Sequence, residues 1–311
     1  MKSADIGSRR IGQGRWGARL VVGVPYVWLA VFFLVPFLIV LKISLSQTAI
    51  ALPPYVPVLD LSAGWQGFKT FLAGLGFDNF ASLFDDQIYA LSYLKSLEVA
   101  AVSTAILLLI GYPLAYAMAR APRRVQSVLV MLVILPFWTS FLIRVYAWIN
   151  ILQTDGLLNR ALQALGLIDA PVAWLASDTA IYIGVVYSYL PFMVLPLYAS
   201  LEKMDLSLLE AAADLGAPSW KAFWLVTVPL SRPGIAAGAL LCFIPIVGEF
   251  VIPDLLGGSD SLMIGQTLWT EFFSNKDWPV ASAIAVVLLC LLVVPIAVYQ
   301  HMQMNAVERG S

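Results

Sequence analysis

Six stretches of this chain are apolar over most of their length, and polar segments bearing glycine and proline separate them. They run roughly Val24 to Leu45, Val99 to Ala119, Val125 to Leu152, Thr179 to Leu201, Pro233 to Pro253 and Pro279 to Tyr299. About 20 apolar residues in an α-helix cross a bilayer core, so each run predicts a transmembrane helix. The fold class is therefore an all-α polytopic membrane protein with six transmembrane helices. The expected layout is a tail 1–23, a first span 24–45, a long loop 46–96, a core 97–300 with five spans, and a tail 301–311. Pro53, Pro54, Pro57 and several glycines break up the long loop. Near its end, Phe77 to Phe84 places aromatic and leucine side chains at helical spacing, which predicts a short interfacial helix.

Composition agrees with a membrane class. The 311 residues are 60% hydrophobic and 12% charged, with a mean hydropathy of +0.86. A soluble domain carries about 25% charged residues. Charge placement then orients the spans. Arg9, Arg10, Arg15 and Arg19, the turn with Arg120, Arg123 and Arg124, and the segment with Lys203, Lys221 and Arg232 fall on one side. The other side holds Lys69, Lys95, Arg160 and Lys276 among many aspartates, including Asp60, Asp78, Asp85, Asp86, Asp155, Asp169 and Asp178. The positive-inside rule puts both termini and residues 202–232 in the cytoplasm, and the loop 46–96 outside. A formal net charge of −1 conceals this asymmetry. A secretory signal is the competing reading of the N-terminus, because Ala49-Ile50-Ala51 mimics a cleavage site, but the apolar run before it is too long. Cys242 and Cys290 fall within predicted spans and read as small buried residues rather than as a disulfide or metal site.

One polar interruption carries more information than the rest. Ser207-Leu208-Leu209-Glu210 has capping-box spacing, which predicts a helix start near Ser207. Gly216 can adopt the left-handed conformation that ends such a helix, Pro218 prevents continuation, and Ser219 can cap a second helix over Trp220 to Thr227, ahead of Pro229. The result is a helix-turn-helix of about 20 residues, too short to span and therefore at the membrane face. Its alanines Ala211, Ala212 and Ala213 would let another protein come close.

This segment resembles the Glu-Ala-Ala loop of binding-protein-dependent ABC importer permeases. Glu210, Ala211, Ala212, Gly216 and Pro229 match it position by position, while Val226 and Val228 stand where isoleucine and leucine are more usual. An ordinary amphipathic hairpin in some other transporter is the competing reading. The resemblance implies a type I (MetI-like) permease fold. It also implies that Glu210, Ala211, Ala212 and Gly216 form a coupling helix that docks on a separate ATPase. Ser96-Leu97, Thr104, Gly111-Tyr112-Pro113-Leu114-Ala115 and Ala119-Arg120 look like the start of the same family's core.

Three further stretches are similar to the polyamine branch of that family, and especially to its putrescine permeases. They are Leu135 to Ser140, Gly248 to Gly258 and Trp278 to Ala283. What this likeness implies is an inner-membrane subunit that pairs with a second homologous permease and two copies of a cytoplasmic ABC ATPase, and that receives its substrate from a periplasmic polyamine-binding protein. No cofactor and no nucleic-acid partner are implied. Spermidine, another organic solute, or an anion held by Arg144 are the alternative cargoes; a secondary transporter or a membrane enzyme is the alternative class. Trp65 to Thr70 superficially suggests a phosphate-binding loop but lacks the glycine pattern, so any ATP must be hydrolysed by another chain. His301 has no partners at metal-ligand spacing.

Charges within predicted spans are the remaining candidates for chemistry, since an ionisable group there faces protein or water rather than lipid. Lys42 lies near a span end and can snorkel. Glu249 sits between Pro245, Gly248 and Pro253, which loosen helical bonding, and broken helix at membrane depth lines a cavity or is buried in protein. If the third and fifth spans rise straight, at about 1.5 Å per residue, Arg144 reaches the same depth as Glu249. Two readings of Glu249 follow: a structural ion pair with Arg144, or a carboxylate open to the translocation pathway. Trp138, Phe141, Trp148 and Tyr146, with Tyr187, Tyr189 and Phe192, could attract an ammonium group or could simply pack between helices. Trp138, Tyr146, Tyr189, Glu249 and Asp254 are the expected substrate-pathway residues.

Overall fold

The computed structural model describes residues 15–58, 62, 64–258 and 261–310. Arg9, Arg10 and Asp60, and the side chains of Arg15, Arg19 and His301, lie outside the described residues. All six apolar runs fall on helices, but only some of those helices are straight. α1 (Arg15–Leu29) continues through a π-turn (Ala30–Leu34) into α2 (Val35–Ser44). Pro36 occupies the first turn of α2, where a missing N–H costs least. Short strands β1 (Gln47–Thr48) and β2 (Tyr55–Val56) then pair antiparallel, followed by α3 (Gly64–Ala73) and α4 (Asp78–Asp85). α4 coincides in sequence with the short helix expected from the spacing. The stretch Trp65 to Thr70 is helical, within α3.

α5 (Gln87–Arg120) is 34 residues long and begins well before the apolar run. Asp86 caps it by accepting the Ile88 N–H at 2.9 Å, which gives the helix a polar first turn ahead of its lipid-compatible part. The third run departs from expectation. α6 (Arg123–Ile134) and α7 (Phe141–Leu152) do not form one rod; a 3₁₀ turn over Leu135–Trp138 separates them and the axes bend by 87°. Pro136 cannot continue the helix, and its freed carbonyl accepts both the N–H and the hydroxyl of Thr139, at 3.3 and 2.8 Å. Depth matching by straight rise therefore fails for Arg144.

Downstream come α8 (Leu157–Ala164), α9 (Asp178–Glu202) and α10 (Ser207–Asp214). Then follow α11 (Ser219–Ala222), a π-turn (Phe223–Thr227) and α12 (Val228–Leu230). The chain bends by 64° into α13 (Arg232–Val247) and ends with α14 (Val251–Leu256), α15 (Ile264–Trp269) and α16 (Trp278–Gly310). Among the described residues, three helices are long and apolar enough to cross a membrane alone, and each bent pair supplies one more crossing if it counts as one span. The apolar part of α16, Trp278–Val293, is shorter.

Two structural units divide the chain, Met1–Phe80 with Asp277–Val286, and Ala81–Lys276 with Val287–Ser311. In the first, Asn79 donates to the carbonyls of Ser44 and Ser46 and fastens the end of α2. Lys42 there lies 3.9 Å from the Tyr55 ring centre, so its charge is met by an aromatic face as well as by the interface.

The second unit is built on α5, α9 and α13, which pack side by side. Leu107, Met118, Ile181, Met193, Leu197 and Ile246 are fully buried among them. Between lipid-embedded helices there is little hydrophobic drive, so close van der Waals packing and interhelical hydrogen bonds hold the contact. Tyr112 and Ser231 share one such bond at 2.9 Å. At one end of α9, Asp178 accepts from Lys95 and from Ser261, both at 2.6 Å, and ties α9 to α5. Cys242 is buried as expected; Cys290 is exposed, on a face of α16 that the periodicity did not resolve.

The segment after α7 is organised by Asn159, which is 1% exposed. Its amide nitrogen donates to the carbonyls of Gln153, Thr154 and Val172, and its oxygen accepts from the Val172 N–H and the Trp174 indole. One side chain thus satisfies five backbone and ring groups of a loop with little regular structure. Asn159→Ala is expected to destabilise the unit by about 2–4 kcal/mol, because several buried groups lose their partner at once. The check is the melting temperature of purified protein, which should fall for Asn159→Ala and also for Asn159→Asp, whose charge would face three carbonyls.

Candidate functional site

α13 stops at Val247 because Pro245 lies in its last turn and Gly248 follows as the C-cap. Glu249 occupies the gap before α14. There its Oε1 accepts the Val251 N–H at 3.0 Å, satisfying a donor that α14 cannot satisfy itself. Its Oε2 accepts the Tyr189 hydroxyl at 2.6 Å. The interrupted helix expected around Glu249 is therefore present, and the acid itself stabilises the interruption. Gly265 is what permits the neighbouring segment to approach: a Cβ there would lie 2.5 Å from the Gly248 carbonyl oxygen and 2.7 Å from that of Glu249. Ser96 on α5 accepts the Ile264 N–H at 2.8 Å and anchors that approach.

Glu249 and Tyr189 open onto a cavity of about 760 Å³. Its wall combines Phe137 and Thr139 from the bend, Phe141 and Arg144 from α7, Ser188 and Phe192 from α9, and Leu240, Leu241, Ile244 and Pro245 from α13. Phe137 and Phe192 meet edge to face at 5.1 Å. With the chain bent at Pro136, Arg144 of α7 lines this cavity together with Phe137 and Thr139 of the bend. Arg144 and Glu249 share the space without pairing. Among the described residues no ion pair within 4.0 Å joins them. The guanidinium instead lies 5.1 Å from the Phe137 ring centre and 5.8 Å from that of Phe141, and its Nε is buried without a hydrogen-bond partner.

Of the expected pathway residues, the cavity brings together Glu249 and Tyr189. Trp138 is 72% exposed and Tyr146 53% exposed, and neither lines it. Asp254 is exposed on α14, where it accepts from Gln266 at 3.1 Å. Thr139, Ser188 and Phe137 were not singled out from sequence. Phe137 and Thr139 stood inside a quoted motif, and Ser188 at one position from Tyr189 carries no signal of its own.

The second candidate feature is the hairpin of α10 to α12. α10 starts at Ser207 as expected but by a different device. Asp205 accepts the Ser207 N–H at 3.0 Å, and Ser207 lies inside the first turn, so the capping box does not form. The same N–H holds the Asp205 carboxyl below the usual carboxylate range. At the other end Gly216 takes φ +77°, with Ala217 N–H on the Ala212 carbonyl at 3.0 Å and Gly216 N–H on that of Ala213 at 2.8 Å. These two bonds make a Schellman ending. Pro218 rather than Ser219 precedes α11, and Ser219 makes no cap. The helical path runs through Pro229 to Leu230, since the π-turn sets the Val228 N–H on the Phe223 carbonyl and Pro229 then falls in a first turn. Glu210, Ala211 and Gly216 are exposed and Ala212 half-buried, while Leu215 and Trp220 stand 89% and 64% exposed. Phe223, in contrast, packs between Tyr112 and Tyr116 of α5 at 5.6 and 5.8 Å.

Comparison with known proteins agrees with this architecture. Residues 108–302 match the family described as binding-protein-dependent transport system inner membrane component. The chain is 38% identical over 281 residues to the spermidine/putrescine transport system permease protein PotB of Haemophilus influenzae, covering 90% of this chain and 92% of that relative. It is 42% identical over 222 residues to the PotB of Escherichia coli, covering 71% and 80%. It also superposes, with a TM-score of 0.68 and 16% identity, on a chain from the crystal structure of a bacterial alginate ABC transporter in complex with an alginate pentasaccharide-bound periplasmic protein, covering 94% of this chain and 95% of that one. At that identity the likeness speaks for the fold alone. With the family match spanning most of the core and the full-length relatives agreeing with it, this chain belongs to the binding-protein-dependent transport system inner membrane components, the MetI-like permeases of ABC importers, and is an inner-membrane transport subunit rather than an ATPase.

Proposed function

We propose that this chain and a second, homologous permease form the translocation pathway of an ATP-driven importer of polyamines, with putrescine as the main cargo. Two copies of a cytoplasmic ABC ATPase drive it, and a periplasmic binding protein delivers the amine. The observation that carries this reading is the cavity beside the helix break. Its carboxylate, Glu249, is set among aromatic and aliphatic walls, a combination that suits a flexible organic cation. Full-length relatives named for spermidine and putrescine transport support the same class. Spermidine is the second reading, because those names pair it with putrescine. Trp138, Tyr146 and Asp254, exposed on this chain, are assigned to the approaches of the same pathway.

The hairpin is assigned to coupling. Both termini and residues 202–232 face the cytoplasm, in keeping with the lysine and arginine distribution, and the loop 46–96 faces the periplasm. Exposed Glu210, Ala211 and Leu215 then point at the ATPase, while Phe223 between two tyrosines of α5 carries any displacement of the hairpin into the spanning helices.

Two experiments test this. Glu249→Gln keeps an oxygen for the Val251 N–H but removes the charge. Hydrogen bonds to charged groups contribute about 1.5–3 kcal/mol, so uptake of radiolabelled putrescine by the reconstituted importer should fall about tenfold or more. Unchanged uptake of putrescine and spermidine, or transport of an anion in their place, would overturn the substrate assignment. For the hairpin, Gly216→Asp has space for its side chain in a left-handed position that Asp tolerates much as Asn does, and it adds a charge to the exposed face assigned to docking. The variant should insert into the membrane and lose uptake. Asparagine, which tolerates that region, should retain more activity than valine. Normal uptake by Gly216→Asp would remove the hairpin from coupling.

A further inference from the structure

Arg144 is the unexplained charge of the cavity. It shares the space with Glu249, yet the two make no ion pair, and no hydrogen bond to its side chain is found among the described residues. Two phenylalanine rings face the guanidinium instead, with centres 5.1 and 5.8 Å away. Arginine stays protonated at any physiological pH. The cavity wall therefore carries both a guanidinium and a carboxyl group, with no ion pair within 4.0 Å between them.

We propose that Arg144 sets the selectivity and residence of the amine by repulsion. This rests on the polyamine reading. An ammonium bound at Glu249 leaves the remaining ammonium groups of the same molecule inside a cavity that already holds a guanidinium. Charges within several ångströms interact strongly where water is scarce, so these groups are driven away from α7 toward the side of the cavity that this chain leaves open. The force grows with the number of charges on the ligand, and a diamine suffers it less than a triamine. Repulsion also limits how tightly the substrate rests, as a pathway requires, since cargo that binds too well does not leave. Arg144 is thus a specificity-determining residue that favours the shorter amine and speeds its departure.

The complete importer in nanodiscs or proteoliposomes supplies the test, with Arg144→Gln to remove the charge and Arg144→Lys to keep it. Binding of radiolabelled putrescine and spermidine to the nanodisc complex without the binding protein is measured first, then ATP-driven uptake. For Arg144→Gln the expected result is spermidine affinity raised about tenfold and putrescine affinity raised less, on the order of threefold, with maximal uptake lowered for both. Arg144→Lys keeps the charge but not the planar group that faces the two rings, and should keep the native ratio between the two amines. A merely structural arginine would not change the ratio between the two amines. Weaker binding of both amines in Arg144→Gln, or an equal change for the two, overturns the proposal. So does an Arg144→Lys variant whose ratio is as altered as that of Arg144→Gln. If the native complex takes neither amine, the substrate reading itself fails, an outcome distinct from native binding that the arginine leaves unaffected.

Discussion

Backbone groups that face hydrocarbon must find partners within the protein, and the break between α13 and α14 is where this constraint bears hardest on the chain. Ending a helix between other helices exposes the first N–H groups of the next one. Glu249 answers that demand at Val251 and takes the Tyr189 hydroxyl with its other oxygen. A neutral side chain of similar shape could satisfy the N–H. A carboxylate does so while keeping its charge next to an open cavity, and a structural requirement and a chemical opportunity thereby fall on one residue. The narrow approach of Gly265 and the bond from Ser96 to Ile264 hold the broken segment against α5.

The same constraint accounts for the other breaks. Pro136 frees a carbonyl that Thr139 takes up, and the resulting 87° turn carries Phe137, Thr139 and Arg144 into one wall. Pro229 is accommodated by a π-turn that precedes it, so the hairpin runs on to Leu230 before the chain bends into α13. Pro136 and Pro229 lie beside places where helices are redirected, whereas Pro113, Pro191 and Pro196 sit inside the uninterrupted α5 and α9.

Between these sites runs α5. It carries Tyr112 and Tyr116 against Phe223 at the hairpin end, and Ser92, Ser96 and Lys95 toward α15 and the start of α9 at the other. The fold thus provides a single long helix in contact with the exposed hairpin and with the segment behind Glu249. This is a physical route by which displacement at one could reach the other, although both must populate two arrangements for coupling to occur.

The apolar runs, the hairpin ending at Gly216 and the interruption at Glu249 were legible from the chain, because span length, a left-handed turn and proline-glycine bracketing are local requirements that a few neighbouring residues express. Capping by Asp205 instead of Ser207 was missed, since both are good capping residues and only the position of the first helical turn separates them. The 87° bend was missed as well, because a proline within an apolar run is compatible with a kinked span or a broken one. Whether Arg144 met Glu249 could not follow from rise per residue once the third run ceased to be straight. Local sequence settled which segments are helical, where charge would be costly, and the family to which these motifs belong. Tertiary structure alone decided which side chains share the cavity, and that an arginine and a glutamate within it stay apart, because those facts depend on helix directions set by packing between segments far apart in the chain.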